Sequence, residues 1–288
     1  MPGIQQAVPN STGIEPPKLN APANAADCHI HIYDPRFQPP LEKPSQGTVS
    51  DYRLLQRRLG VSRVVIVTPR NYATDNAVTR EAIQQLGIDN ARGVAVLRPT
   101  VTDAELKALD TAGIRGIRFT VGDPKTAVVS VDMIEPLAKR IASFGWHVQL
   151  NMPPETTAAN ADMLRRLPVP IVFDHLGKPP VVEGENHASH RLIRDLLDRG
   201  RAWVKLAGAY INSGPNTLTF DEATRIAQIF VKAAPQRLVW GSDWPHPGPK
   251  IKPDDAVLFD LLSAWAPDEA TRNRILVTNP QALYGFPR

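Results

Sequence analysis

"ADCHIHIYDPRFQPP" (26–40) is the stretch that decides the fold. It begins as a short apolar run carrying His29 and His31 one residue apart, then turns into a proline-rich segment. A doubly wound open sheet usually follows its first strand with a glycine-rich phosphate loop. "YDPRFQPP" (33–40) offers no such loop. A polar pair instead ends the first candidate strand, where a (β/α)8 barrel carries its chemistry.

The pattern repeats outward from this point. Further β-branched, apolar runs are "SRVVIVT" (62–68), "RGVAVLR" (92–98), "IRGIRFT" (114–120), "WHVQLN" (146–151), "PIVFDH" (170–175), "AWVKLAG" (202–208) and "RLVWGSD" (237–243). Helix-like stretches lie between them, such as "DAELKALDTAG", "VDMIEPLAKRIASFG" and "FDEATRIAQIFVKAAP". The second runs at 3–4 spacing from Asp132 to Gly145, a suitable stop. Eight alternations of strand and helix predict an α/β fold, a (β/α)8 TIM-type barrel. It is expected as one domain over 26–288. Residues 1–25, rich in Pro, Asn and Ala, read as an extended arm, packed on a neighbour or disordered.

Composition excludes several function classes. Lys and Arg number 33 against 29 Asp and Glu, a net charge of +4, with no basic block and no interleaved aromatics. That surface suits a small anion and argues against nucleic acid. No apolar run reaches the roughly 18 residues of a membrane span. The first residues do not read as a secretory signal. Cys28 is the single cysteine, so no internal disulfide forms. A cytoplasmic protein is expected. Oligomeric state is not legible.

The ends of the candidate strands supply the site. His29 and His31 end the first, Arg118 nearly ends the fourth, Asn151 ends the fifth, and His175 ends the sixth. Lys205 lies within the seventh and Asp243 ends the eighth. Side chains alternate along a strand. His29 and His31 are therefore expected on one face with Asp27, and Asp174 opposite His175. Lys205 needs a partner if it points inward, either Asp243 or a substrate carboxylate. Arg118 reads as a carboxylate clamp or a buried ion pair. "SDWPHP" (242–247) adds Trp244 and His246, and Tyr210 follows strand seven. His147 starts its strand, roughly 13 Å below the rim, and reads as structural. His187 and His190 fall in the polar, loop-like "EGENHASH". Asn279 before Pro280 reads as a helix N-cap.

The motifs resemble a known family. His-x-His after strand one, a histidine after strand six and an aspartate after strand eight are similar to the amidohydrolase superfamily. "TDNAVTREAI", "RGIRF", "GWHV", "VPIVFDHLGKP", "VWGSDWPHP" and "LVTNPQALY" resemble its branch containing 2-pyrone-4,6-dicarboxylate hydrolase and D-galactarolactone isomerase. The likeness covers about residues 26–284 and implies a barrel acting on cyclic esters of diacids. Metal-dependent relatives usually add a histidine after strand five, and some a carboxylated lysine after strand four. Here those places hold Asn151 and "RFTVGD". The resemblance therefore implies a site with no metal or other cofactor, in which His29 and His31 meet substrate.

The pyrone hydrolase grips its flat diacid with several cations and a tyrosine. Asn151 stands where that tyrosine would lie, and "GAYINSG" (208–214) lacks the expected arginine. An aldarolactone is favoured. The expected reaction is metal-independent conversion of D-galactaro-1,5-lactone to the 1,4-lactone by intramolecular acyl transfer. Asp243 is the base, and His29, His31 and His175 polarise the carbonyl or shuttle protons. Lys205 and Arg118 hold the carboxylate, Asn151, His246 and Tyr210 make further substrate contacts, and Trp244 with Tyr210 excludes water. Lactone hydrolysis is the first alternative, a metal-dependent amidohydrolase the second, and a non-catalytic binding protein the third.

Overall fold

The computed structural model describes residues 6–39, 46–122, 127–178, 180, 184–211 and 220–288. Residues 1–5 of the arm and 212–214 of "GAYINSG" lie outside these. Eight strands form one parallel sheet in sequence order: β1 Ala26–Ile30, β2 Arg63–Val67, β3 Ala91–Ala95, β4 Ile114–Thr120, β5 His147–Asn151, β6 Ile171–Phe173, β7 Ala202–Leu206 and β8 Leu238–Trp240. The sheet comes round on itself where His31 N donates to Trp244 O and Asp243 N to His29 O, both at 2.8 Å. Each of the eight sequence segments supplies one strand of this TIM-type barrel.

Helices wrap the sheet: α1 Val49–Leu59, α2 Ala77–Leu86, α3 Asp103–Thr111, α4 Ile134–Ile141, α5 Pro154–Ala159, α6 Ala161–Arg166, α7 Ala188–Asp198, α8 Asp221–Ala233, α9 Asp255–Trp265, α10 Glu269–Asn273 and α11 Asn279–Tyr284. Local chemistry sets their ends. Thr48 with Asp51, and Thr102 with Glu105, form capping boxes at α1 and α3. Gly145 is left-handed, φ 68°, and stops the turn that continues α4.

Alternation divides each strand between two cores. Val64, Ile66, Ile171, Phe173, Val204 and Leu206 face the helices. Val65, Val67, Val94, Val172, Trp203 and Val239 point inward with Ala26 and Cys28, closed below by Tyr284 and Phe286. This packed floor confines polar residues to the upper ends of the strands. His147 sits low against the Tyr284 ring, centroids 5.4 Å apart, in the structural position expected.

Four local expectations are corrected. Asp27 does not share a face with the histidines. Asp27 pairs with Val64 but Ile30 with Ile66, so β1 carries an extra residue that resets its alternation. The Asp27 carboxylate instead accepts from Ser242 Oγ at 2.6 Å and Tyr52 OH at 3.3 Å. His190 lies inside α7, stacked on Phe230 at 4.8 Å, and His187 caps that helix. Asn279 is no N-cap, because helical backbone already precedes it. Its amide donates to Pro235 O and Leu238 O, tying α11 to β8. The arm from residue 6 onward is irregular but lies on its own barrel. Lys18 N and Leu19 N donate to Asp260, and Trp244 Nε1 donates to Pro9 O.

Candidate active site

A cavity of about 580 Å³ opens at the C-terminal mouth of the barrel. His31, His175 and Asp243 line its floor side, and Arg118, Asn151 and Tyr210 also line it. His29 is fully buried just behind them. Its ring centroid is 5.0 Å from those of His31 and His175. Close approach of β1 and β8 makes this possible. A Cβ on Gly241 would sit 2.7 Å from His29 Cβ.

Asp243 is the centre of the cluster. His29 Nε2 lies 3.5 Å and His31 Nε2 3.6 Å from its Oδ1. The Tyr210 hydroxyl donates to its Oδ2 at 2.5 Å. Burial opposes ionisation of Asp243, but His175, His29, His31 and Tyr210 outweigh it and hold the carboxyl below the usual range. Burial, helped by Arg118, lowers His31 to about 4. Burial also lowers His175, and lowers His29 further. Near neutral pH the site is one carboxylate among neutral imidazoles.

The hydrogen bonds restrict the tautomers. His31 Nδ1 is 2.8 Å from Val67 O, which only accepts, so Nδ1 carries the proton and Nε2 is a lone pair. His29 Nδ1 lies between Lys205 Nζ, 3.4 Å, and Asp174 Oδ1, 3.3 Å. With Lys205 as donor the His29 proton sits on Nε2, aimed at Asp243. With Asp174 as acceptor His29 Nε2 is a lone pair.

Lys205 does not reach the cavity. It is completely buried, donates to Cys28 O at 2.8 Å, and stands 3.9 Å from Asp174 Oδ1. Burial lowers its ammonium to about 8, with Asp174 opposing. The inward partner it needs is therefore Asp174, and neither Asp243 nor a substrate carboxylate takes that place. Arg118 forms the buried ion pair of its second reading, with Asp174 Oδ2 at 2.9 Å, and also lines the cavity. His246 lies outside the cavity wall, between Tyr210 and Asp255. Trp244 is fully buried under the arm and covers no part of the cavity. Asn151 lines it, with Oδ1 lacking a hydrogen-bond partner among the described residues.

Asp174 was misread on the sequence. Strand alternation continues from Val172 and points it inward. β6 then ends, and His175 takes a left-handed φ of 50° that swings it into the mouth as well. Burial works against the Asp174 charge, yet Arg118, His29 and Lys205 keep it well below the ordinary carboxylate range. Two cavity cations were also missed. Arg70 follows β2 in "TPRN", and Lys178 follows the His175 turn. Arg70, Arg118 and Lys178 all line the cavity.

The metal question turns on the same atoms. Ligand atoms of His29, His175 and Asp243 lie within 4.8 Å of one another. With the His29 proton on Nδ1, these residues fit a divalent ion. With the proton on Nε2, that nitrogen must first lose it to ligate.

Residues 26–286 match the amidohydrolase family. The chain belongs to that family. Among its relatives, it is 32% identical to a 4-sulfomuconolactone hydrolase of Rhizobium radiobacter, covering 99% of both chains. It is 31% identical to a 2-pyrone-4,6-dicarboxylate hydrolase of Comamonas testosteroni, over 93% of this chain and 92% of the relative. It is 30% identical to a D-galactarolactone isomerase of Agrobacterium fabrum, over 91% of each. The motifs thus point to the branch in which the chain falls, and this amidohydrolase is a lactone-converting enzyme that takes a small-molecule substrate. No helix among the described residues is long and apolar enough to cross a membrane.

Proposed function

We propose that this amidohydrolase hydrolyses an anionic lactone that carries a second acid group. The observation that carries the reading is an ionised Asp243 in a cavity lined by Arg70, Arg118 and Lys178. Three cations in one cavity with the Asp243 carboxylate, Arg118 among them although it also pairs with Asp174, suit a substrate of two negative charges. Such a lactone need carry no free hydroxyl, and then only water can open it. The names of two relatives, a sulfonated lactone hydrolase and a pyrone dicarboxylate hydrolase, support this choice. Asn71, Asn151 and Thr120 in the same cavity favour a second reading, isomerisation of D-galactaro-1,5-lactone through its own hydroxyl.

Asp243 accepts the proton of the attacking water. His31 Nε2, a lone pair 3.6 Å away, is the next acceptor for that proton, which passes to the ring oxygen as the acyl–oxygen bond breaks and the open acid forms. Arg118 and Lys178 are the cationic donors for the carbonyl oxygen as it gains charge. Arg70, which lines the same cavity, is the cation assigned to an acid group of the substrate. A divalent ion held by His29, His175 and Asp243 would polarise the carbonyl and acidify water. The proposal takes turnover as independent of metal; Lys205 as donor to His29 Nδ1 accords with it, since the His29 proton then sits on Nε2.

One experiment tests substrate and metal together. Chelator-stripped protein, its metal content measured, is assayed with 4-sulfomuconolactone and with D-galactaro-1,5-lactone. The expected result is a higher kcat/KM for the two-acid lactone, unchanged by the metal content. Preference for the aldarolactone overturns the substrate assignment. Activity that tracks one ion per chain overturns metal independence.

A further inference from the structure

The hydrogen bonds to Asp243 continue away from the cavity. The Tyr210 hydroxyl that donates to Asp243 also lies 3.3 Å from His246 Nδ1. The two rings meet edge to face, centroids 5.3 Å apart. His246 Nε2 lies 3.1 and 3.2 Å from the two carboxylate oxygens of Asp255, the first residue of α9. His246 and Asp255 are completely buried and touch no part of the cavity. The proposed reaction leaves both unused.

Their placement is over-determined, as a group held for a purpose should be. His246 N donates to Asp243 O at 2.8 Å, and Lys252 Nζ donates to His246 O. Asp255 N donates to Ser11 Oγ of the arm. With Asp255 as acceptor, His246 Nε2 carries the proton and Nδ1 is a lone pair. The Tyr210 hydroxyl then has one proton and two acceptors.

We propose that Asp255 and His246 are positioning residues that act on Asp243 through Tyr210, offering the tyrosine proton a second acceptor. The inference rests on the reading of Asp243 as the base. A strong donor bond weakens a carboxylate as a base, because the bond favours its charged form. Drawing the Tyr210 proton toward His246 loosens that bond and restores basicity when water must be deprotonated. Asp255 makes His246 a better acceptor by holding the proton on its far nitrogen. No atom leaves the chain of residues; one proton moves between two hydrogen bonds.

A double-mutant cycle tests the relay. Asp255→Asn should lower kcat about ten-fold while KM stays within about two-fold. In a Tyr210→Phe background the same substitution should change kcat less than about two-fold, since the link is already cut. Equal fold-changes in the two backgrounds would overturn the proposal. If Asp255→Asn does not fold, His246→Gln is read in the same cycle. A second readout needs no turnover. The buried Tyr210–Asp243 hydrogen bond, charge-assisted and shielded from solvent, should give a resolved hydroxyl proton resonance, absent in Tyr210→Phe and displaced by Asp255→Asn. A resonance that does not move overturns the relay. A resonance that moves, with Asp243→Asn turning over like the wild type, upholds the relay and overturns the base.

Discussion

His31 shows what one buried side chain imposes on the whole protein. Its imidazole, at about 4 when folded, titrates near 6.5 when unfolded. Between these values the unfolded chain binds a proton that the folded one does not, so stability falls as pH drops from 6.5 to 4. The loss amounts to about 3 kcal/mol. Asp27, raised by burial to about 7, slopes the other way, because its folded form keeps a proton that the unfolded one releases. Unfolding free energies of wild type and His31→Gln across this range separate the two. The variant should gain on the wild type as pH falls, and a constant difference would remove the charge-burial account of His31. At this scale the sequence was legible where a polar residue ends a strand: His29, His31, His175, Asn151 and Asp243 all reach the mouth or lie directly behind it. It was not legible for Asp174 and His175 as a pair, because a left-handed residue at the strand end breaks the period on which the reading rests. Arg70 and Lys178 stand beyond the strand ends, where alternation says nothing.

At the scale of elements, apolar runs and glycine stops located all eight strands, since burial on both faces leaves few alternatives. Register was less legible. The extra residue in β1 turns Asp27 away from His29, and nothing in "ADCHIHI" marks it. The arm shows the same limit, because its composition resembles an unpacked segment while specific bonds fix it. Arg58 on α1 is one tether. It pairs with Asp254 at 2.6 Å and donates to Glu15 O at 2.8 Å and Thr12 O at 3.1 Å. The Arg58 side chain is 5% exposed. Arg58→Ala should cost about 3 kcal/mol, since a nearly buried ion pair loses one partner. Limited proteolysis should then cut within residues 6–25 while leaving the barrel intact. Unchanged resistance of the arm would mean that Trp244 and Asp260 hold it without Arg58.

For the molecule as a whole, the barrel joins a packed lower core to a polar mouth. Chemistry and substrate charge are read there together. The net charge of +4 pointed to a small anion but could not place the cations. Arg70, Arg118 and Lys178 line the same cavity as Asp243, and the proposal of a two-acid lactone opened by water rests on that lining. The most direct measurement is turnover of a lactone substrate in ¹⁸O-water, with product mass followed in time beside an Asp243→Asn control. The account predicts one heavy oxygen in the new carboxylate from the first turnovers, at the rate of substrate loss. It predicts a folded control at least about 10²-fold slower. A product lactone without label, formed as fast as substrate disappears, would contradict it.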